Sequence, residues 1–106
     1  MTDIVQESMA GTKVAFDLKN LEKNYQNYFY RLNRYIHGND LENSLKVASE
    51  FNEILKKAGA VKISSFIARI KSALYQKNFK EAAFLLDEVN YECDRFFMKL
   101  SANDNQ

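Results

Sequence analysis

Leu18, Leu21, Tyr25, Tyr28, Phe29, Leu32 and Ile36 recur at steps of three and four residues. That spacing lines one face of a helix. It predicts a helix over 17–37, with Asp17 as N-cap and Gly38 as the stop after the last turn. A second apolar face, Leu41, Leu45, Ala48, Phe51 or Asn52, Leu55 and Ala58, predicts a helix over 41–57 capped by Asn39 or Asp40. Ile63, Phe66, Ile67, Ile70 and Leu74 predict a third over 61–77. A turn at Lys77-Asn78 leads to a fourth, over 80–100, flanked by Phe79 and carrying Ala82, Ala83, Leu86, Val89, Cys93, Phe96, Phe97 and Leu100. Connections this short make successive helices antiparallel neighbours. The expected fold is all-α, an up-down-up-down four-helix bundle with its core in 17–100.

The ends are less regular. Ile4, Val5, Met9, Val14 and Phe16, interrupted by Gly11, suit a short N-terminal helix that caps the bundle. The polar residues 101–106 suit a flexible tail. A chain of 106 residues is one domain. It has no proline and only three glycines, which favours helix throughout. Fifteen basic against fourteen acidic residues leave a net charge of +1, so no nucleic-acid footprint is expected. No apolar run approaches the roughly 18 residues that span a bilayer. The polar, acidic N-terminus is unlike a secretory signal. The lone cysteine, Cys93, suits a reducing compartment. The expected location is cytoplasmic, with no membrane association.

The stretch from Gly38-Asn39-Asp40 through the second helix to Gly59-Ala60 resembles the central helix of a histidine-containing phosphotransfer (HPt) domain. In that family an acidic or Gly-Asp turn leads into a helix bearing His-x-x-Lys-Gly, followed by a Gly-Ala-type turn. The resemblance implies a four-helix module that docks receiver domains, commonly with a short leading helix. Counting forward from Asp40 and backward from Gly59 puts the phospho-acceptor column on Ser49, the lysine column on Asn52 and the glycine column on Glu53. A serine hydroxyl without an adjacent base is a poor acceptor, and its phosphoester a poor donor onward. Asn52 cannot neutralise phosphoryl charge, and Glu53 adds bulk and negative charge where the family has neither. At about 100° per residue, Glu42, Lys46, Ser49, Glu53 and Lys56 fall opposite the apolar face. The resemblance therefore implies a pseudo-phosphotransfer module, not an enzyme. It would bind a response-regulator receiver or a histidine kinase through Lys46, Ser49, Glu50, Asn52, Glu53 and Lys56. The plainer alternative is an ordinary solvated face, with Glu42/Lys46 and Glu53/Lys57 pairs at i,i+4.

His37, the only histidine, sits in the last turn before Gly38, where a cation suits the carbonyl end of the helix. A relocated acceptor there is a remote alternative. One histidine and one core cysteine do not make a metal site, and no phosphate loop or nucleophile–base set is visible. No cofactor is expected. Fourteen Phe and Tyr residues exceed what a small bundle core absorbs. Phe84, Tyr91 and Met98 recur every seven residues off the main face of the fourth helix, and Tyr30 and Tyr75 are also off-face. The N-terminal segment covers this second stripe, or it is an interface with a second copy or another protein. An adaptor unrelated to phosphorelays, or a homodimer held through that stripe, is the runner-up to the HPt-like reading.

Overall fold

A computed structural model of the chain describes the backbone of residues 2–104 and the side chains of 18–99. Four helices make up the described backbone: α1 (Thr2–His37), α2 (Leu41–Lys57), α3 (Val61–Tyr75) and α4 (Phe79–Asp104). Among the described residues there is no strand. Each helix packs on the next, and α1 also packs on α4, which closes the ring around one core. The core holds Leu21, Leu32 and Ile36 from α1 and Val47, Ala48, Phe51 and Leu55 from α2. Ile63, Ile67, Ile70 and Leu74 come from α3, and Ala82, Leu85, Leu86, Val89 and Cys93 from α4. Two stacked ring pairs tie α1 to its neighbours: Tyr28 on Phe51 of α2 and Tyr25 on Phe97 of α4, with centroids 5.4 and 4.7 Å apart.

The three connections share one design. Asn39, Gly59 and Lys77 each adopt a left-handed conformation, with φ of 57°, 75° and 58°. The amide of the following residue donates back five residues, Asp40 to Tyr35, Ala60 to Leu55 and Asn78 to Ala73, at 2.9 Å each. These are Schellman closures, which satisfy the last carbonyls of one helix before the next begins. The residue after each left-handed one is the N-cap of the following helix. Asp40 Oδ1 accepts from the Asn43 amide at 3.1 Å, and Asn78 Oδ1 accepts from the Glu81 amide at 3.1 Å. Ala60 has no side chain with which to cap α3.

Three expectations need correction. The separate short N-terminal helix and the Asp17 cap are absent, because α1 runs unbroken from Thr2 to His37 through Gly11 and Asp17. One mid-helix glycine costs only about 1 kcal/mol and does not end a helix. Which surface Ile4, Val5, Met9, Val14 and Phe16 cover lies outside the described side chains. The expected tail begins as helix, since α4 continues to Asp104. Gly38 is not the left-handed stop either. That role falls to Asn39, and a Cβ at Gly38 would sit 3.2 Å from the Arg34 carbonyl oxygen.

Asp40 also accepts from the Asn43 carboxamide at 2.8 Å. This side-chain bond, and then the backbone bond, hold its carboxyl below the ordinary aspartate range. A depressed carboxyl pKa stabilises the fold above the unfolded value and loses that contribution as pH falls through the folded value. Thermal melts taken from neutral pH into acid are therefore expected to show a cap-dependent loss beginning below about pH 4. Asp40→Asn keeps a capping oxygen but removes this share of the pH dependence. An unchanged acid limb in the variant would contradict the assignment.

Candidate functional site

The outward face of α2 is built from its capped first turn onward. The buried positions Ser44, Val47, Ala48, Phe51, Asn52 and Leu55 define the inward side. Opposite them lie Lys46 and Glu53, both exposed, with exposed Lys56 to one side. Ser49 and Glu50 are half-buried on the two flanks of this face. Leu41 and Leu45, expected in the core, are only half-buried, and Ser44 and Val47 take the interior instead. The helix is thus rotated by roughly 20° from the face drawn through the apolar residues alone. The Ser44 hydroxyl is buried without a hydrogen-bond partner.

Asn52 is the residue of the set that the structure moves. It is 9% exposed, and its Oδ1 accepts a hydrogen bond from the Ser64 hydroxyl of α3. The column that resembles the family's lysine is therefore turned inward to join two helices. A buried carboxamide needs such a partner, because an unpaired one costs more than the bond returns. Asn52 thus bridges α2 and α3, and its outer edge lines the groove between them.

The bond to Ser64 shows that the Asn52 flank of α2 faces α3. An open groove of about 410 Å³ runs there, lined by Asn52, Ala68, Lys71, Ser72, Tyr75 and Gln76. Tyr75 is 69% exposed. The surface beside Ser49 is therefore two helices wide, and Lys71 and Gln76 join it without having been singled out in the sequence. Tyr75 carried the available signal, as an aromatic residue off the apolar face of its helix.

The chemistry of this face is limited. Among the described residues no hydrogen bond links the Ser49 hydroxyl to a base. His37 is exposed at the end of α1, and Ser49 lies eight residues into α2. At 1.5 Å per residue that separation is about 12 Å along the axis, beyond proton-transfer reach. The expected Glu42/Lys46 and Glu53/Lys57 pairs do not close. Among the described residues the only ion pair is Lys62–Glu92, at 3.3 Å. No group of three or more His, Cys, Asp or Glu side chains gathers into a metal-sized cluster among them. None of the described helices is long and apolar enough to cross a membrane.

The second set, Phe84, Tyr91 and Met98, is exposed by 64%, 57% and 71%. Arg95 lies over the Tyr91 ring, 5.7 Å from its centroid. Cys93 faces the other way, 2% exposed. Burial, then the nearby Asp94 and Glu92 charges, push its thiol up to about 12. A thiol held protonated and out of water is inert. Ellman's reagent is expected to react with it only at the rate of global opening, accelerating with denaturant. Fast, stoichiometric labelling of the native protein would show that Cys93 is accessible.

No protein-family model, curated protein or solved structure matches the chain.

Proposed function

We propose that the chain is a non-catalytic, HPt-like interaction module of phosphorelay signalling. It docks a response-regulator receiver or a histidine kinase through α2 and does not take up phosphate. The observation that carries this reading is the face around Ser49. It is solvent-accessible in the middle of a capped helix and widened by the α3 groove, and its hydroxyl has no base to activate it. Lys46, Ser49, Glu50, Glu53 and Lys56 form the docking edge, and Asn52 braces it from beneath. An antiparallel up-down-up-down arrangement is supported by how contacts pair across each turn. Tyr28 meets Phe51 across residues 38–40. Asn52 and Ser64 lie six residues either side of Ala58. Lys62 and Glu92 lie fifteen residues either side of Lys77. Pairing that is symmetric about a tight turn is the mark of a helical hairpin. The lone buried cysteine agrees with a cytoplasmic setting.

The test is incubation with a phosphorylated receiver and with an autophosphorylated kinase. The expected result is complex formation with no acid-labile phosphate on this chain. Phosphate on the protein that disappears in His37→Gln would overturn the non-catalytic reading.

A second reading, a homodimer through α4, is favoured by the three exposed residues at seven-residue spacing. Sedimentation separates the two. A dimer that becomes a monomer on Tyr91→Asp supports the stripe as a self-interface, and a monomer in both forms removes it.

A further inference from the structure

The first turn of α3 and the C-terminal half of α4 border an open groove of about 320 Å³. Its walls combine two properties seldom found together on a solvated surface. One is apolar: Ile63 lies buried at the base, Phe96 is half-buried, and Val61 at the lip is 75% exposed. The other is charge. Lys62, Arg95 and Lys99 line the groove against a single acid, Glu92, which Lys62 already engages at 3.3 Å. Among the described residues no carboxylate lies at ion-pair distance from Arg95 or Lys99. The whole chain carries only +1, so this is a local concentration of positive charge.

We infer that this groove is a second docking site, and that its occupant is an acidic linear peptide carrying an apolar side chain next to its carboxylates. The volume lies at the small end of ligand pockets, which run from about 300 to 1,000 Å³. It holds one or two side chains of an extended segment rather than the surface of a folded domain. Arg95 presents a planar fork suited to a carboxylate, and Lys99 adds a second, mobile cation. An apolar side chain reaches Phe96 and Val61. Tyr91 and Met98, exposed just beyond Arg95, extend the contact with residue types enriched at protein interfaces. A nucleic acid fits poorly, since the carboxylate of Glu92 lines the groove. The site shares no residue with the Ser49 face and stands without that reading.

The probe is a fluorescein-labelled peptide of sequence Glu-Phe-Glu-Leu-Asp-Glu-Leu-Phe, titrated with the full-length chain by fluorescence anisotropy. Saturable binding is expected, weakening as salt is raised. Arg95→Glu with Lys99→Glu is expected to reduce affinity about tenfold or more, equivalent to about 1.4 kcal/mol. Both side chains are exposed, so the circular dichroism and melting of the variant should match wild type. Glu53→Lys, on the Ser49 face, should leave peptide affinity unchanged. That separates failure of this site from failure of the relay reading. Three results would each overturn the inference. They are no binding to wild type, equal binding to the double variant, and equal binding of a peptide with Gln for every Glu and Asn for Asp. Capture by anionic phosphatidylserine vesicles without peptide binding would overturn it too, assigning the charge to a lipid surface.

Discussion

Phe51→Ala is expected to be the most damaging single truncation on α2, costing about 3–5 kcal/mol. The ring is fully buried and stacks on Tyr28 at an interplanar angle of 9°. Its loss opens a cavity where α1 meets α2, and a domain whose total stability is about 5–15 kcal/mol feels that strongly. The melting midpoint is expected to fall by about 12 °C or more. Phe84→Ala is the matched control. At 64% exposure it should change stability by no more than about 0.5 kcal/mol. Equal losses from the two variants, read from denaturant melts, would mean that α2 does not sit against α1 as described.

The second large effect concerns Asn52. Ser64→Ala removes the donor to a carboxamide oxygen that is shut away from water. It is expected to cost about 1–3 kcal/mol. Adding Asn52→Leu should recover most of that loss, since an apolar pair at this depth has nothing left unpaired. A non-additivity of about 1 kcal/mol or more in the double-mutant cycle is the signature of the contact. If Ser64→Ala is neutral and the cycle additive, Asn52 points outward and belongs to the docking face. The same geometry predicts that placing a lysine at 52, as in the family pattern, puts a cation at a nearly closed position instead of restoring a solvent-facing column.

The helices themselves were legible because the core-facing residues of α1, α3 and α4 are apolar at three- and four-residue steps. Leu21, Leu32 and Ile36, Ile63, Ile67 and Ile70, and Leu86, Val89 and Cys93 are all buried where the period puts them. On α2 the same rule drew the face slightly wrong, since it took Leu41 and Leu45 as inward and passed over Ser44 and Val47. The buried set 44, 47, 48, 51, 52 and 55 still follows helical steps. Hydropathy hid Ser44, whereas Asn52, offered as an alternative to Phe51 on the expected face, is buried along with it and accommodated by its contact with Ser64. Turn chemistry was readable where Gly59 and Asp40 supply it. The turn at Lys77-Asn78 was readable as well, but not the left-handed conformation of Lys77, which is neither the glycine nor the asparagine usual there. That is why the sequence boundaries there ran one to two residues off those of α3 and α4.

For the candidate site, exposure of Lys46, Glu53 and Lys56 followed from angular position alone, and so did that of the α4 residues Phe84, Tyr91 and Met98. The second helix of the surface was not legible. Lys71 and Tyr75 share a groove with Asn52 of α2 only because α3 packs on α2. The groove between α3 and α4 is hidden for the same reason. Val61 and Lys99 are far apart in the chain, and no periodicity within one helix reveals that they share a wall.

The most direct test of the account is an amide-shift titration of the isotopically labelled chain with an unphosphorylated receiver domain. The prediction is saturable perturbation centred on Lys46, Ser49, Glu50, Glu53 and Lys56, spreading to Lys71 and Tyr75, and lost in Glu53→Lys. A receiver that leaves those amides unmoved, or that perturbs only the 84–98 stripe of α4, would contradict it.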